Sequence, residues 1–389
     1  RLLLVALERI PVEYWRTSAS LGMSQVSIFR FIEWPAMRSA MVSAASLIFM
    51  LCLTSFTVVL ILGGGPAATT IEVAIYQALR FDFDPQRAVS LALLQILLAV
   101  VLLFVTSLVP KAEDDVRTAG TVPRRFDGLS SSARLRDFSL ILAAAIFVAS
   151  PLLAVVISGL AANLFKLLMA EVFIKAFLTS FSIALCAASM AVIVSLSLIQ
   201  SRLVISGQRQ VAVTERAASA VFSATSSLVL LVPPVVIGSG WFIWINRFTD
   251  PAVYAPVIVA IINMLVSLPF VTRVLEPALE IYRARTDRLS QSLGLSGFSK
   301  FRLVTWPLMR KAVFMAMSFS LALSLGDLGA VALFGSDGFV TLPWLVYSNM
   351  GSYRSADAAG YALILGVICL LLAVYGAGFD KRPDEKGIA

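Results

Sequence analysis

Histidine is absent from this 389-residue chain, and charged residues make up only 14% of it. Without imidazole there can be no Ser-His-Asp or Cys-His catalytic set and no histidine proton relay. Cysteine is nearly as scarce. Cys52, Cys186 and Cys369 stand singly in apolar runs, and they read as small buried residues rather than zinc ligands. The Gly-x-x-x-x-Gly-Lys-Ser/Thr sequence that cradles nucleotide phosphates is also missing, and Gly63-Gly64-Gly65-Pro66 carries no lysine. The chain is therefore expected to need no metal or cofactor, to be no enzyme itself, and not to be its own ATPase. No initiating Met or signal peptide is visible: the chain opens on Arg1, and Leu2 to Leu7 read like the tail of an apolar segment, as expected of a fragment or a processed chain.

What the chain has in abundance is apolar sequence, 59% of its residues, with a mean hydropathy of +0.90. Soluble domains are usually nearer half apolar and about a quarter charged, so the composition places the chain in the membrane class. A membrane helix needs about 20 mostly apolar residues. Eight such runs lie near 40–62, 88–110, 138–160, 172–199, 219–245, 253–272, 312–334 and 358–378. The predicted fold is an all-α polytopic helix bundle.

Net charge is +8, which could point to nucleic acid, but the basic residues are distributed by loop. Segments 1–39, 111–137, 200–218, 273–311 and 379–389 hold 25 of the 31 Lys and Arg, and the alternate side holds six. Basic loops stay cytoplasmic. The alternation predicts an even number of spans with both ends of this chain in the cytoplasm and membrane lipid, not nucleic acid, as its surroundings. The polar stretch 111–137, with Gly120, Pro123, Gly128 and Ser130-Ser131-Ser132, reads as a linker. It divides the chain into residues 1–110, the linker 111–137, a complete unit over 138–380 and a tail over 381–389.

The two parts repeat each other at an offset of 272. Ser18, Ser20, Leu21, Gly22 and Ser24 meet Ser290, Ser292, Leu293, Gly294 and Ser296, and Phe29-Arg30, Trp34-Pro35 and Met37-Arg38 meet Phe301-Arg302, Trp306-Pro307 and Met309-Arg310. More than half of the positions from 18 to 38 are identical across the offset. The register runs on through Ala40, Ala44 and Ser46 to Gly63 and Thr69. Six spans lie between the copies, so the units are parallel repeats about an axis along the membrane normal. The second unit has four spans ahead of its motif and the first has none, which predicts about four spans before Arg1 and about twelve in the complete protein. Each repeated segment is too polar to span and too apolar for a solvent loop. Gly22 and Gly294 permit a tight bend, and Pro35 and Pro307 suit the first turn of the next helix. The expected element is a short amphipathic helix, a turn and a second short helix, presented to a cytoplasmic partner. A purely interfacial amphipathic helix is the plainer alternative.

This segment resembles the coupling motif of the permeases of binding-protein-dependent ABC importers. The Gly-to-Pro separation of 13 is kept in both copies, with Ile32 and Val304 at the Ile position. Arg16-Thr17-Ser18 and Arg288-Leu289-Ser290 stand where the family has Glu-Ala-Ala, and Trp34 and Trp306 stand where it has Leu. Two units in one chain are similar to the fused thiamine and ferric-iron importer permeases. The stretches 49–56, 62–79, 324–329, 332–335 and 351–355 look most like the thiamine member. The resemblance implies a type I permease fold, an ATP-binding subunit in two copies, a periplasmic substrate-binding protein, and a small-molecule substrate, thiamine or its phosphates, moved by alternating access. It implies ATPase coupling through Ser18, Ser20, Gly22, Ile32 and Pro35 and through Ser290, Ser292, Gly294, Val304 and Pro307. An ion-coupled secondary transporter would also have repeats, but not two such knobs.

Four further residues are candidates for the substrate path. Asp327 lies inside an apolar run, where a carboxylate costs about 2.5–3.5 kcal/mol on insertion scales and should face a wet cavity or the bundle interior. It either lines the path, where an acid suits a cationic substrate, or bonds to neighbouring backbone or Ser324. Its repeat partner is Ser55. Pro233-Pro234 interrupts the fifth span and frees carbonyls that line either a path or a packing kink. Trp241, Trp244 and Trp344 are expected in an interfacial belt. Glu72, Asp82, Asp84, Asp337 and Asp357 are either solvated or available to dock the binding protein.

Overall fold

The computed structural model describes residues 2–8, 10–63, 68–107, 131–206, 232–292, 299, 301–335, 338–352 and 354–378. The described elements are helices. They run α1 Leu2–Glu8, α2 Val12–Ser20, α3 Gln25–Ile28, α4 Trp34–Leu53, α5 Thr57–Leu62, α6 Ile71–Arg80, α7 Pro85–Ser107 and α8 Ser131–Leu160. There follow α9 Leu164–Leu168, α10 Glu171–Ser206, α11 Pro234–Ile245, α12 Pro251–Ser292, α13 Trp306–Leu325, α14 Gly329–Phe334, α15 Leu342–Gly351 and α16 Ser355–Gly378. Among the described residues six helices are long and apolar enough to cross a membrane, and the run 25–53 would make a seventh. The run near 219–245 is described only from residue 232, where α11 is a shorter apolar helix.

The chain packs as two compact units, one of residues 1–55 with 94–154 and one of residues 56–93 with 155–389. In the first, Ile10, Trp15 and Ile28 form a small core beneath Leu7, Met23, Ile32 and Ala36. In the second, α10, α12 and α13 share the main core of Ala187, Ala191, Leu268, Val271, Leu275, Met309 and Val313. Ala176, Ala184, Ala187, Ala188 and Ala191 are all fully buried on α10. In lipid there is no hydrophobic drive between helices, and small side chains let backbones approach closely enough to gain contact energy. A second layer packs Phe173 on Tyr361, rings stacked at 5.8 Å, beside Leu167, Leu342 and Leu345. Residues 135–158 of α8 are exposed save for half-buried Ala149, as suits a helix facing lipid, and among its described residues only Gly159 is buried, against Leu363.

The repeat is visible in the helices themselves. A π turn at Phe29–Glu33 precedes α4, and its counterpart at Phe301–Thr305 precedes α13. All four boundaries of α4 and α5 map onto those of α13 and α14 at the offset of 272. Two spans expected to run unbroken, 40–62 and 312–334, are therefore each broken at the same place, over 54–56 and 326–328. One further expectation is corrected. The short amphipathic helix ahead of the second motif is the end of α12, a single helix of 42 residues, about 63 Å at 1.5 Å per residue.

Candidate functional site

The first motif folds around Gly22. This residue has φ of +60°, the left-handed region, and nothing lies within 4 Å of where its Cβ would be. Glycine is required here by backbone conformation, then, not by crowding. It ends α2 in a Schellman arrangement: Met23 N–H donates to the Ser18 carbonyl at 3.1 Å and Gly22 N–H to that of Ala19 at 3.2 Å. Ser24 then caps α3, its hydroxyl accepting from Ser27 N–H at 3.3 Å. Buried Ser18 and exposed Ser20 bond back onto their own helix, donating to the carbonyls of Trp15 and Thr17 at 2.9 and 2.8 Å. They brace α2.

Pro35 sits in the first turn of α4, as expected. It has no N–H for an ordinary helical bond, and its ring crowds the carbonyl four residues back. The backbone widens to a π turn instead, with Trp34 N–H bonded to the Phe29 carbonyl. Ile32 packs into the small core. Leu21, Val26 and Phe31 are 70%, 75% and 67% exposed. Beside them a groove of about 320 Å³ is lined by Glu13, Tyr14, Thr17, Leu21, Phe31 and Ile32. The result is a rigid apolar knob with an adjoining groove. In the second copy Pro307 again opens a helix behind a π turn and Val304 packs on the main core. Ser290 and Ser292 close α12, whereas Gly294 lies outside the described residues.

The helix breaks hold the other candidates. At the second break Asp327 Oδ1 accepts from Gly329 N–H at 3.1 Å and Oδ2 from Ala330 N–H at 3.4 Å, so the carboxylate caps α14. Asn263 on α12 donates to the Ser324 hydroxyl at 2.7 Å and lies 3.5 Å from its carbonyl. At the first break, part-buried Ser55 donates its N–H to the Cys52 carbonyl, and Gln95 on α7 donates to the Leu53 carbonyl at 3.4 Å. In each half, one amide side chain from a neighbouring helix meets backbone freed by the break. Sequence reading missed both amides. Their signal was a lone Gln and a lone Asn, each inside an apolar run. Pro233 and Pro234 open a helix: Pro233 is the N-cap of α11, Pro234 is its first residue, and the Pro233 carbonyl accepts from Val236 and Ile237, while the part of the run ahead of residue 232 lies outside the described residues.

The segment after the first break also folds with the second unit. α6 packs on α11 and α14, burying Glu72, Val73, Ile75 and Ala78 completely. Arg80 donates to the Gly335 carbonyl at 2.6 Å. Tyr76 is hydrogen-bonded to Tyr347 on α15, and burial, with Tyr347 adding to it, pushes the Tyr76 phenol up to about 12 against the smaller opposing pull of Arg80. Glu72 is thus a core residue, unlike exposed Asp82 and Asp84. The Trp344 ring lies against Gly335.

Comparison with known proteins gives these features a family. Residues 1–113 and 204–384 match the model of the binding-protein-dependent transport system inner membrane component. The thiamine transport system permease protein ThiP of Brucella suis biovar 1 is 46% identical over 372 residues, 96% of this chain and 67% of that protein. ThiP of Escherichia coli K12 is 40% identical over 386 residues, and that of Haemophilus influenzae 33% over 385, each covering 99% of this chain and 70% of the relative. With its repeated all-helical architecture and this match over most of its length, the chain belongs to the binding-protein-dependent transport system inner membrane components, multi-pass permease subunits of ABC importers.

Proposed function

We propose that this chain is the membrane channel of an ATP-driven importer for thiamine and its phosphates, working by alternating access. The observation that carries the substrate is similarity to thiamine permeases along nearly the whole chain. A separate ATP-binding subunit, in two copies, supplies the energy. It docks on the two repeated segments, where Leu21 and Phe31 form an exposed apolar surface beside a groove. ATP draws the copies together and the helices open outward to a periplasmic binding protein; hydrolysis resets them. Both ends of the chain are cytoplasmic, and the stretch 111–137 links the two permease units. Thiamine carries a cationic ring, so Asp327 at the second break faces the path and Ser55 marks the uncharged equivalent. The broken helices support a cargo site at the breaks, as discontinuous helices form in secondary transporters, without favouring one energy source over the other.

The test is uptake by the full-length permease with its ATP-binding subunit and binding protein in liposomes. Thiamine should accumulate only with ATP and be indifferent to collapsed proton and sodium gradients. Uptake that persists without ATP and follows an ion gradient would instead make the chain a secondary transporter. Competition by ferric iron, but not by thiamine phosphates, would move the substrate.

A further inference from the structure

Behind Asp327 the second unit encloses a polar cavity that no helix cap explains. Its polar lining comes from four stretches of chain: Ser180 on α10, Asn263 on α12, Ser324 and Asp327 at the break, and Thr341 ahead of α15. At about 10 Å³ it is near the lower limit for one water, so it has room for a single heavy atom. Several of these groups are already engaged. The Ser180 hydroxyl accepts from Leu342 N–H at 2.8 Å, the Asn263 amide nitrogen serves Ser324, and Asp327 caps α14. Two remain: Asn263 Oδ1 and Thr341 Oγ1 have no partner among the described residues, in side chains only 4% and 3% exposed. Buried acceptors of this kind are rarely left unmet.

The lining is weighted toward acceptors, although its Ser and Thr hydroxyls can donate as well. Asn263 Oδ1 and the carboxylate of Asp327 accept, a hydroxyl can also accept, and no Lys or Arg is present. Such a lining recognises an N–H donor and favours positive charge. The entrance is at the break, where Gly326 is exposed and Asp327 only part-buried. A whole organic cation is too large for the cavity, but a terminal amino group is not. Among the described residues of the first unit, the two counterparts that can be compared differ: Ser55 stands in place of Asp327, and Thr69, the partner of Thr341, is exposed.

We infer that this cavity is a subsite for one amino group of the substrate, with Asn263 and Thr341 as its acceptors and Asp327 at the entrance attracting the cation. The inference rests on the thiamine reading above and deepens it, since thiamine carries both a cationic ring and an exocyclic amino group on its pyrimidine. A site built to bond an N–H strongly rejects an analogue lacking it, because its own buried groups are then left unpaired.

The experiment compares thiamine with its analogue in which that amino group is replaced by oxygen. Each is loaded to saturation on the binding protein and supplied to the reconstituted importer, and rates are normalised to intact complex recovered. The binding protein's own preference is common to all arms and cancels. The wild type should carry the amino compound at least about tenfold faster. Thr341→Val, close in shape, and Asn263→Leu should each bring the ratio toward one, chiefly by slowing the amino compound. A wild-type ratio of one, or variants that assemble and keep the wild-type ratio, would overturn the subsite while leaving thiamine transport standing. A wild type that carries neither compound would remove the substrate reading and the subsite with it.

Discussion

At the scale of single residues, the coupling segment turns on one backbone conformation. Gly22 is left-handed with open space around it, so alanine there would clash with nothing and would still be strained, by about 1–2 kcal/mol. That is comparable to what holds one short helical hairpin in place, and the turn orients the exposed Leu21. Gly22→Ala should therefore lower thiamine-stimulated ATP hydrolysis by the assembled importer severalfold without reducing the yield of folded permease. Gly240→Ala is the matched control, since it too has no neighbour within 4 Å but no left-handed φ. Equal activity of the two variants would show that the turn does not position the docking surface. This glycine and Pro35 were legible in the sequence because a duplicated Gly and Pro at fixed separation have few uses. The bonds of Ser18 and Ser20 back onto their own helix were not, since a serine identity says nothing about which carbonyl its hydroxyl meets.

At the scale of elements, the breaks at 54–56 and 326–328 decide where chemistry can occur. Hydropathy hid them, because Thr54, Ser55 and Phe56 are too few and too mild to interrupt an apolar average, and only Asp327 stood out. The carboxylate has two separable roles, capping α14 and presenting negative charge at the entrance to the polar cavity. Asparagine keeps a side-chain acceptor for Gly329 N–H but not the charge, whereas alanine keeps neither. Asp327→Ala should destabilise the permease by about 1 kcal/mol, read as a lowered thermal midpoint in detergent. Asp327→Asn should leave that midpoint nearly unchanged yet cut thiamine uptake about tenfold or more. Wild-type uptake by the asparagine variant would reduce Asp327 to a cap and remove it from the path.

At the scale of the whole molecule, the repeat is parallel in sequence but unequal in packing. The segment 56–93 belongs to the first permease unit by its register, yet it folds into the compact unit that holds the second. A repeat alone could not reveal this: offsets report which residues correspond, not which bundle each one joins. The joint is made by corresponding helices. α6 and α15 follow the two breaks at nearly equal distances, and their tyrosines, Tyr76 and Tyr347, meet, while Arg80 reaches the carbonyl at the end of α14. On the proposed topology this joint lies on the outer side, so a route that opens outward between the two units has to part it in every cycle. With Cys52, Cys186 and Cys369 replaced by serine, Tyr76→Cys paired with Tyr347→Cys should be joined by a reducible bis-methanethiosulfonate cross-link, whose spacer fills the room the two rings leave, a gap that a direct disulfide would be too short to bridge. It should arrest ATP-driven uptake and release it again on reduction, with either single variant as the control. Cross-linked protein that still transports at the uncross-linked rate would make α6 a fixed brace, and the outward opening would then have to pass elsewhere in the bundle.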